Sequence, residues 1–198
     1  MVTGDSIFTG LCIARECNVI KSDRVLIAKD FDTVEGIKWV DESGNPTSAP
    51  AIENLKAGEL HYDLAMMGFV WERILHDDNS YALALLDHVR VYGRCTPTNK
   101  TSIISTMISK GYITMMCGDG GNDCGALRMA HVGIALSDSE ASMVSPFTSL
   151  EKNITSVIEV LREGRCALAS AFATYKYIIL VSKLPSMASL MHYDMLLH

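Results

Sequence analysis

Short apolar runs alternate with longer amphipathic segments along most of this chain. Apolar residues recur at helical spacing in two stretches, Ile7, Leu11 and Ala14 near the start and Ile103, Ile104 and Met107 farther on. Four runs rich in β-branched residues predict strands, at residues 25–28, 37–40, 89–93 and 132–136. Strands that alternate with helices in this way are typical of an α/β fold with a Rossmann-like parallel sheet.

The intervening segments add smaller elements. Residues 24–51 contain two of the predicted strands, and a turn signal at residues 41–46 separates them, which suggests a small surface excursion. Leu60, Tyr62 and Leu64 alternate like a half-buried strand. Residues 69–75 and 81–87 are predicted to be helical.

The last fifty residues favour helix. Thr148 and Glu151 have the spacing of a capping box ahead of an apolar stripe, and Gly164 lies where such a helix would stop or hinge. Residues 167–181 are mostly apolar, but Lys176, Lys183 and Pro185 interrupt the apolar character. Because a bilayer span needs about 20 apolar residues, this segment alone predicts no complete transmembrane helix.

Composition narrows the classes of function. With 198 residues and 48% hydrophobic content, the chain can bury one good core. Its formal charge of −6 argues against a nucleic-acid partner, because no basic stripe is present. The six cysteines form no CxxC pair and no zinc-like spacing, which indicates reduced thiols in a cytosolic setting.

The strongest chemical signal lies in the middle of the chain. Residues 111–116 read as a strand that is buried on both faces, and residues 118–123 then read Gly-Asp-Gly-Gly-Asn-Asp before a predicted helix. The three glycines, Gly118, Gly120 and Gly121, permit a tight turn and close approach of the backbone to a ligand. In a parallel sheet, ligands bind where a strand ends and a helix begins.

The acidic residues of this turn suggest a metal. Asp119 and Asp123 are hard oxygen ligands, and a site with one or two carboxylates suits Mg²⁺ shared with a phosphate. The alternative is an Asp-Gly turn followed by Asn122 as a helix cap. The density of glycine and carboxylate favours the metal and phosphate interpretation.

Two other segments suit a phosphate. Thr3, Gly4 and Asp5 read as the end of a strand followed by a turn into a helix, although this tripeptide alone is a weak signal. Farther on, Thr96 and Pro97 predict a helix start that places Lys100 in the first turn. A positively charged side chain is unfavourable at the N-terminal end of the helix dipole, and a nearby phosphoryl group would explain why a lysine stands there. The alternative is that Lys100 is simply an exposed lysine on a helix.

These motifs resemble those of a known family. Residues 118–123, continued by residues 125–127 and 132–136, resemble the hinge motif of the P-type ATPases. The amino-acid sequence of residues 116–127, together with residues 140–142 and 145–149, is similar to that of the type V, subgroup B members of this family, which transport polyamines or cations. Residues 1–5 resemble a second motif of these ATPases, and residues 95–100 resemble the motif that carries a lysine.

The resemblance implies a fold and a role for each motif residue. The fold would be the haloacid dehalogenase (HAD) type, in which an aspartate attacks the terminal phosphate of ATP and forms an aspartyl phosphate. Mg²⁺ would bind Asp119 and Asp123, and Lys100 would neutralise the phosphoryl group. The resemblance further implies hydrogen bonds to phosphate from Thr3, Gly4 and Asn122, and a position near the nucleotide for Asp5.

The sequence departs from the family in two respects. Thr98 and Asn99 stand where the family usually has Asp and Gln, which leaves Lys100 intact. The family's nucleophile lies in an Asp-Lys-Thr-Gly-Thr motif, and that string does not occur here. We therefore expect the isolated chain to be unable to catalyse ATP hydrolysis.

The resemblance also implies a domain arrangement. Residues 1–165 would be a partial phosphorylation domain, truncated on its N-terminal side, and residues 166–198 would be the start of a membrane helix with a divergent tail. The parent function would be ATP-driven transport in late endosomal or lysosomal membranes, with this domain in the cytosol and the transported polyamine or cation bound elsewhere. The alternatives are a non-catalytic, partner-binding remnant and a soluble HAD phosphatase.

Overall fold

A computed structural model describes residues 1–30, 37–58, 60–136 and 143–197. It divides the chain into two compact units, Met1–Lys152 and Asn153–His198. The helices are α1 (Ile7–Glu16), α2 (Ile52–Ala57), α3 (Gly68–Asp77), α4 (Asn79–Leu85), α5 (Pro97–Ser109), α6 (Cys124–Met129) and α7 (Thr155–Leu197). The strands are β1 (Val25–Asp30), β2 (Ile37–Val40), β3 (Pro46–Thr47), β4 (Asp63–Met67), β5 (Val89–Gly93), β6 (Met115–Gly118), β7 (Val132–Ala135) and β8 (Phe147–Thr148).

The first unit contains two sheets. One has the strand order β3-β2-β1-β4-β5, in which β1, β4 and β5 are parallel and β2 and β3 are antiparallel to their neighbours. The other is wholly parallel and has the order β6-β7-β8. Helix α5 leads from the last strand of the first sheet to the first strand of the second. The α/β class predicted from the sequence is confirmed, with one mixed and one parallel sheet.

Alternate residues of the larger sheet enter two separate cores. Leu26, Leu64 and Met66 face a cluster that includes Trp71 and Tyr92, whose rings meet edge to face at 5.7 Å. The intervening residues face a cluster built on α1, with Ile7, Leu11 and Ala14 buried against the sheet. Because both faces of the sheet are covered, its central strands are apolar at successive positions rather than at every second one.

The segment predicted as a surface excursion is part of this core, so that prediction is wrong. Strand β1 lies between β2 and β4, and Ile27 and Ala28 are completely buried. Trp39 in β2 is only 2% exposed. The turn at residues 41–46 is confirmed, because Asn45 and Asp41 hydrogen-bond to each other through backbone and side chain.

The strand before the glycine-rich turn differs from its prediction. It spans Met115–Gly118 rather than residues 111–116, and all four of its residues are half-buried. Ile113, which was expected inside the strand, is 82% exposed. The physical reason is that β6 pairs with β7 and with no other strand among the described residues, so one of its edges stays open.

The final helix also corrects the sequence analysis. Helix α7 begins at Thr155, whose backbone N–H donates to the Asn153 side chain at 3.1 Å, and Thr148 lies in β8 instead of capping a helix. The helix continues through Gly164 and Pro185, so the predicted boundary between residues 165 and 166 falls inside it. Thr155–Tyr193 is long and apolar enough to cross a bilayer, as judged by length and composition. Residues 140–142, which are part of the family resemblance, lie outside the described residues.

Gly93 permits the close approach of α1 to the sheet. A Cβ atom there would lie 2.7 Å from the Cα of Ile7. We expect Gly93→Ala to destabilise the chain by about 1–3 kcal/mol, because the helix must move outward. Urea unfolding followed by tryptophan fluorescence measures this, since both tryptophans, Trp39 and Trp71, are buried in the first unit. Gly164→Ala is the control, because nothing lies within 4 Å of that position; an equal loss in both variants would contradict the packing argument.

Asp63 joins the segment before β1 to strands β4 and β5. Its carboxylate accepts hydrogen bonds from the backbone N–H groups of Lys21 and Ser22 at 2.9 and 3.0 Å, and Arg90 Nε lies 3.4 Å away. Burial opposes ionisation of this carboxyl, but the hydrogen bonds from Ser22, Lys21 and Arg90 outweigh it and hold the pKa of Asp63 below its usual value.

The lowered pKa of Asp63 predicts a pH-dependent stability. A carboxylate with a lowered folded-state pKa stabilises the fold above its unfolded pKa of about 3.9, and this contribution is lost as the pH falls through the folded-state pKa. We expect Asp63→Asn to cost about 1–2 kcal/mol at pH 7, and the difference from the unchanged chain to shrink below about pH 4. Denaturant unfolding between pH 7 and pH 3 measures both; a constant difference would contradict the assignment.

Candidate functional site

The predicted site residues lie at the carboxyl ends of strands. Val2 forms a parallel bridge with Tyr92 of β5, so the N-terminal segment runs alongside that strand. Beyond the bridge, Cys95 N–H donates to Thr3 O at 2.9 Å and Arg94 N–H donates to Asp5 O at 2.8 Å. These bonds join the Thr3–Gly4–Asp5 turn to the loop after β5.

The turn itself is held by its own side chains. Asp5 N–H donates to Thr3 Oγ1 at 3.1 Å, and the Thr3 hydroxyl donates to the Asp5 carboxylate at 3.3 Å. Gly4 is exposed, and a Cβ atom there would lie 3.7 Å from Cys95 O. The Thr3 hydroxyl is thus engaged with Asp5, and the turn presents the exposed backbone at Gly4 to solvent, where an N–H group can donate to an anion.

The start of α5 is a complete capping box. Thr96 Oγ1 accepts from Asn99 N–H at 3.2 Å, and Asn99 Oδ1 accepts from Thr96 N–H at 2.8 Å. Pro97 occupies the first turn, so the predicted cap and proline are both confirmed. Asn99, which stands where the family usually has Gln, thus stabilises the start of the helix that carries Lys100.

Lys100 forms the central contact of the site. Its Nζ donates to Asp123 Oδ1 at 2.6 Å, and the two side chains are only 12% and 11% exposed. Gly118 makes room for this pair, because a Cβ atom there would lie 2.7 Å from Asp123 Oδ2. The glycine before the turn is therefore required by the packing of the carboxylate.

The other residues of the turn face solvent. Gly121–Asp123 forms a single 3-10 turn, closed by a hydrogen bond from Asp123 N–H to Gly120 O at 3.0 Å. Asp119 and Asn122 are exposed, and Asp119 has no hydrogen-bond or ion-pair partner within the described part of the chain. A free, exposed carboxylate beside a buried one leaves ligand oxygens available at the surface of the turn.

The charged residues of the site influence the pKa values of two thiols, those of Cys95 and Cys117. Burial raises the pKa of Cys95 to about 11, and the positive charge of Lys100 opposes this shift. Burial also raises the pKa of Cys117, and the charges of Asp119 and Asp123 raise it further. Lys100 therefore acts electrostatically on the loop after β5 as well as on Asp123.

The residues present fit a magnesium ion that keeps part of its water shell. Among the described residues no group of three or more His, Cys, Asp or Glu side chains is placed to hold a metal. Asp119 and Asp123 are two carboxylates of one turn, and Mg²⁺ is usually bound by one or two carboxylates together with water and phosphate. The donor set thus suits an ion that arrives with a phosphate.

Asn99 shapes the site, although it was not among the predicted site residues. Asn99 is 1% exposed, and its Nδ2 is buried with no partner in the described structure. Its Oδ1 would lie 2.6 Å from a Cβ atom at Gly68, the first residue of α3. The Thr-x-x-Asn spacing of a capping box was the signal that could have identified it.

Comparison with known proteins identifies the family. No family model matches the chain. It is 36% identical to human polyamine-transporting ATPase 13A3 over 92% of this chain, and 36% identical to the vacuolar cation-transporting ATPase YPK9 of Saccharomyces cerevisiae over 92%. The chain belongs to the P-type ATPases. The names of these two relatives describe them as ATPases that transport polyamines or cations.

This P-type ATPase chain corresponds to a small part of its relatives. It spans 16% of the length of the human 13A3 protein and 14% of YPK9. The probable cation-transporting ATPase 13A4 of Gallus gallus is 33% identical over 98% of this chain, which is 17% of that protein. The similarity therefore extends over both structural units of the chain.

Removing one partner of the ion pair between Lys100 and Asp123 should destabilise the chain. We expect Lys100→Met to destabilise the chain by about 3 kcal/mol, because it leaves a buried carboxylate without a partner. The double variant Lys100→Met/Asp123→Asn should regain most of this loss, since both charges are then absent. Denaturant unfolding of the single and double variants measures the coupling, and Lys152→Met at an exposed position is the control. Strictly additive losses would show that the two side chains do not interact.

Proposed function

We propose that this chain is part of a HAD-type phosphorylation domain of an ATP-driven polyamine or cation transporter. In this proposal the turns that follow Val2, β5 and β6 hold Mg²⁺ and the phosphoryl group that ATP donates. The observation that carries the proposal is the partly buried contact of Lys100 with Asp123 beside the exposed carboxylate of Asp119. The cation follows β5 and the two carboxylates follow β6, and together they match the charges of a magnesium phosphate.

Each residue has a defined task in this proposal. Asp119 and Asp123 would hold the ion, which when bound draws negative charge from the phosphate oxygens. Lys100 would then exchange part of its contact with Asp123 for a contact with a phosphate oxygen, and so neutralise the charge that develops during transfer. Because the capping box orients the lysine in advance, little reorganisation is needed when the phosphate arrives.

The hydrogen-bond donors lie on the two turns. The Thr3 hydroxyl, the Gly4 N–H and the exposed side chain of Asn122 would donate to phosphate oxygens. The carboxylate of Asp5, which is fixed by the Thr3 turn, would lie toward the nucleotide. Thr3 and Lys100 are the residues that would contact the transferring group itself.

The chemical step needs an aspartate that these residues do not supply. No Asp-Lys-Thr-Gly-Thr string occurs in the sequence, and in our proposal the nucleophile belongs to another part of the transporter. The chain alone would bind magnesium phosphate without turning over ATP. The transported polyamine or cation would bind outside these residues.

The proposed location follows from α7 and from the relatives. Thr155–Tyr193 has the length and composition to cross a bilayer, and one relative is named as a vacuolar transporter. We place the protein in a late endosomal or lysosomal membrane with Met1–Lys152 in the cytosol, where ATP is available.

A non-catalytic domain that binds a partner is the second candidate function, and the absence of the Asp-Lys-Thr-Gly-Thr string from this sequence favours it. A soluble phosphatase is less well supported, because Asp5 is engaged by the Thr3 turn.

Magnesium titration tests the proposed ligands. We expect Asp119→Asn to weaken Mg²⁺ binding at least tenfold, about 1.4 kcal/mol, because an exposed ligand oxygen loses its charge. Isothermal titration of the 198-residue chain with MgCl₂, in the presence of inorganic phosphate, measures the affinity. Asp77→Asn, an exposed aspartate at the end of α3, is the matched control. Unchanged affinity in Asp119→Asn would overturn the assignment.

A further inference from the structure

A second cavity of the first unit lies beside β2. Its volume is about 470 Å³, which is within the range of small-molecule sites. Apolar side chains of three elements line it, namely Ile37 and Trp39 of β2, Ile52 of α2 and Ile74 of α3. None of the residues that we assign to Mg²⁺ or phosphate takes part. Its chemistry is therefore separate from that of the proposed phosphate site.

The cavity reaches from the surface into the core. Trp39 and Ile74 are only 2% and 3% exposed, so the inner wall consists of buried side chains. Ala49 and Ile52 are exposed and line the opening. A small molecule that enters here can thus remove its own apolar surface, and that of the wall, from water.

Two aromatic side chains of the wall are held in place without carrying a charge. The Tyr81 hydroxyl donates to Pro50 O at 3.2 Å. Burial raises the pKa of Tyr81 to about 12, and neighbouring Tyr62 raises it further, whereas a hydrogen bond from Trp39 opposes the shift. Tyr81 is therefore neutral at pH 7, and its ring and the indole of Trp39 form a fixed apolar surface.

One carboxylate of the cavity has no counter-ion. Asp77 and Asp78 both line it, but Asp77 lies 3.8 Å from Arg73 Nε and 3.2 Å from His76 Nδ1. Asp78 Oδ1 accepts from Tyr81 N–H at 3.0 Å and so caps α4. Within the described part of the chain, Asp78 forms no ion pair. Its negative charge is thus available to a cation that enters the cavity.

We propose that this cavity binds a small organic ammonium ion, whose apolar body lies against Trp39 and Ile74 and whose ammonium group pairs with Asp78. The apolar wall excludes a bare metal ion, which requires several oxygen ligands. It also disfavours a polyamine, because a charge at the far end of that molecule would be buried without a partner. An amine with one charge and one aromatic ring fits both parts of the cavity.

Nuclear magnetic resonance of the two tryptophans tests this site. Trp39 lines the cavity, whereas Trp71 does not and donates its indole N–H to Ser102 Oγ at 3.3 Å. The probe is phenethylammonium chloride, and 2-phenylethanol is the neutral control of the same shape. In the 198-residue chain we expect the probe to shift the indole N–H signal of Trp39 saturably, with a dissociation constant of about 1 mM, and to leave that of Trp71 unchanged. The alcohol should bind about threefold more weakly, because it cannot pair with an exposed carboxylate. Trp39→Phe assigns the two signals.

Variants identify the carboxylate. Asp78→Asn keeps the helix cap, because asparagine caps as well as aspartate, and should weaken binding of the ammonium probe about threefold without changing that of the alcohol. Asp77→Asn is the matched control and should have a smaller effect, since Arg73 already faces that carboxylate. Ala49→Phe, at an exposed lining position, should weaken both probes about tenfold by filling the opening.

Four results would overturn the proposal. They are no shift of the Trp39 signal up to about 20 mM probe, equal affinity for the alcohol, an equal shift of Trp71, and equal losses in Asp77→Asn and Asp78→Asn. The titrations contain neither Mg²⁺ nor phosphate. Failure here would therefore leave the proposed phosphate chemistry untouched, and failure of that chemistry would not affect this site.

Discussion

The ion pair of Lys100 with Asp123 is the contact on which the arrangement of the site depends. It connects the first turn of α5, which follows β5, to the turn that follows β6. The two strands belong to different sheets, so the pair joins them at their carboxyl ends. Burying two charges is costly unless they meet at good geometry, and the 2.6 Å contact provides that. Such a pair serves orientation more than net stability.

Helix α5 is held at its other end by a second cluster. Lys110 Nζ donates to Leu83 O at 2.6 Å and to Asp87 Oδ2 at 2.5 Å, and the Tyr112 hydroxyl donates to Asp87 Oδ1 at 2.8 Å. Burial opposes ionisation of Asp87, but the hydrogen bonds from Lys110 and Tyr112 keep its pKa below the usual value. With both ends attached, α5 holds the loop after β5 and the glycine-rich turn at a constant separation, as a phosphate site requires.

Helix α5 also borders a cavity of about 430 Å³ between the beginnings of β5 and β6. Ile104 and Met107 contact the cavity between β5 and β6, while Ile103 is buried in the core with Trp71. One face of the helix is therefore packed, and part of another faces a cavity beside unpaired backbone.

Local patterns in the sequence were sufficient for the elements that depend on near neighbours. Strand β5 has the predicted bounds, and the cap at Thr96 with Pro97 was predicted because those residues interact within one turn. The glycine-rich turn with Asp119 and Asp123 was likewise recognisable, since glycine and carboxylate spacing carries the signal. Tertiary structure alone decided that β1 is central, that β6 is an edge, and that Lys100 contacts Asp123. Strand order and charge pairing join residues far apart in the chain, and hydrophobic periodicity records only which face of an element is apolar, not which partner covers it.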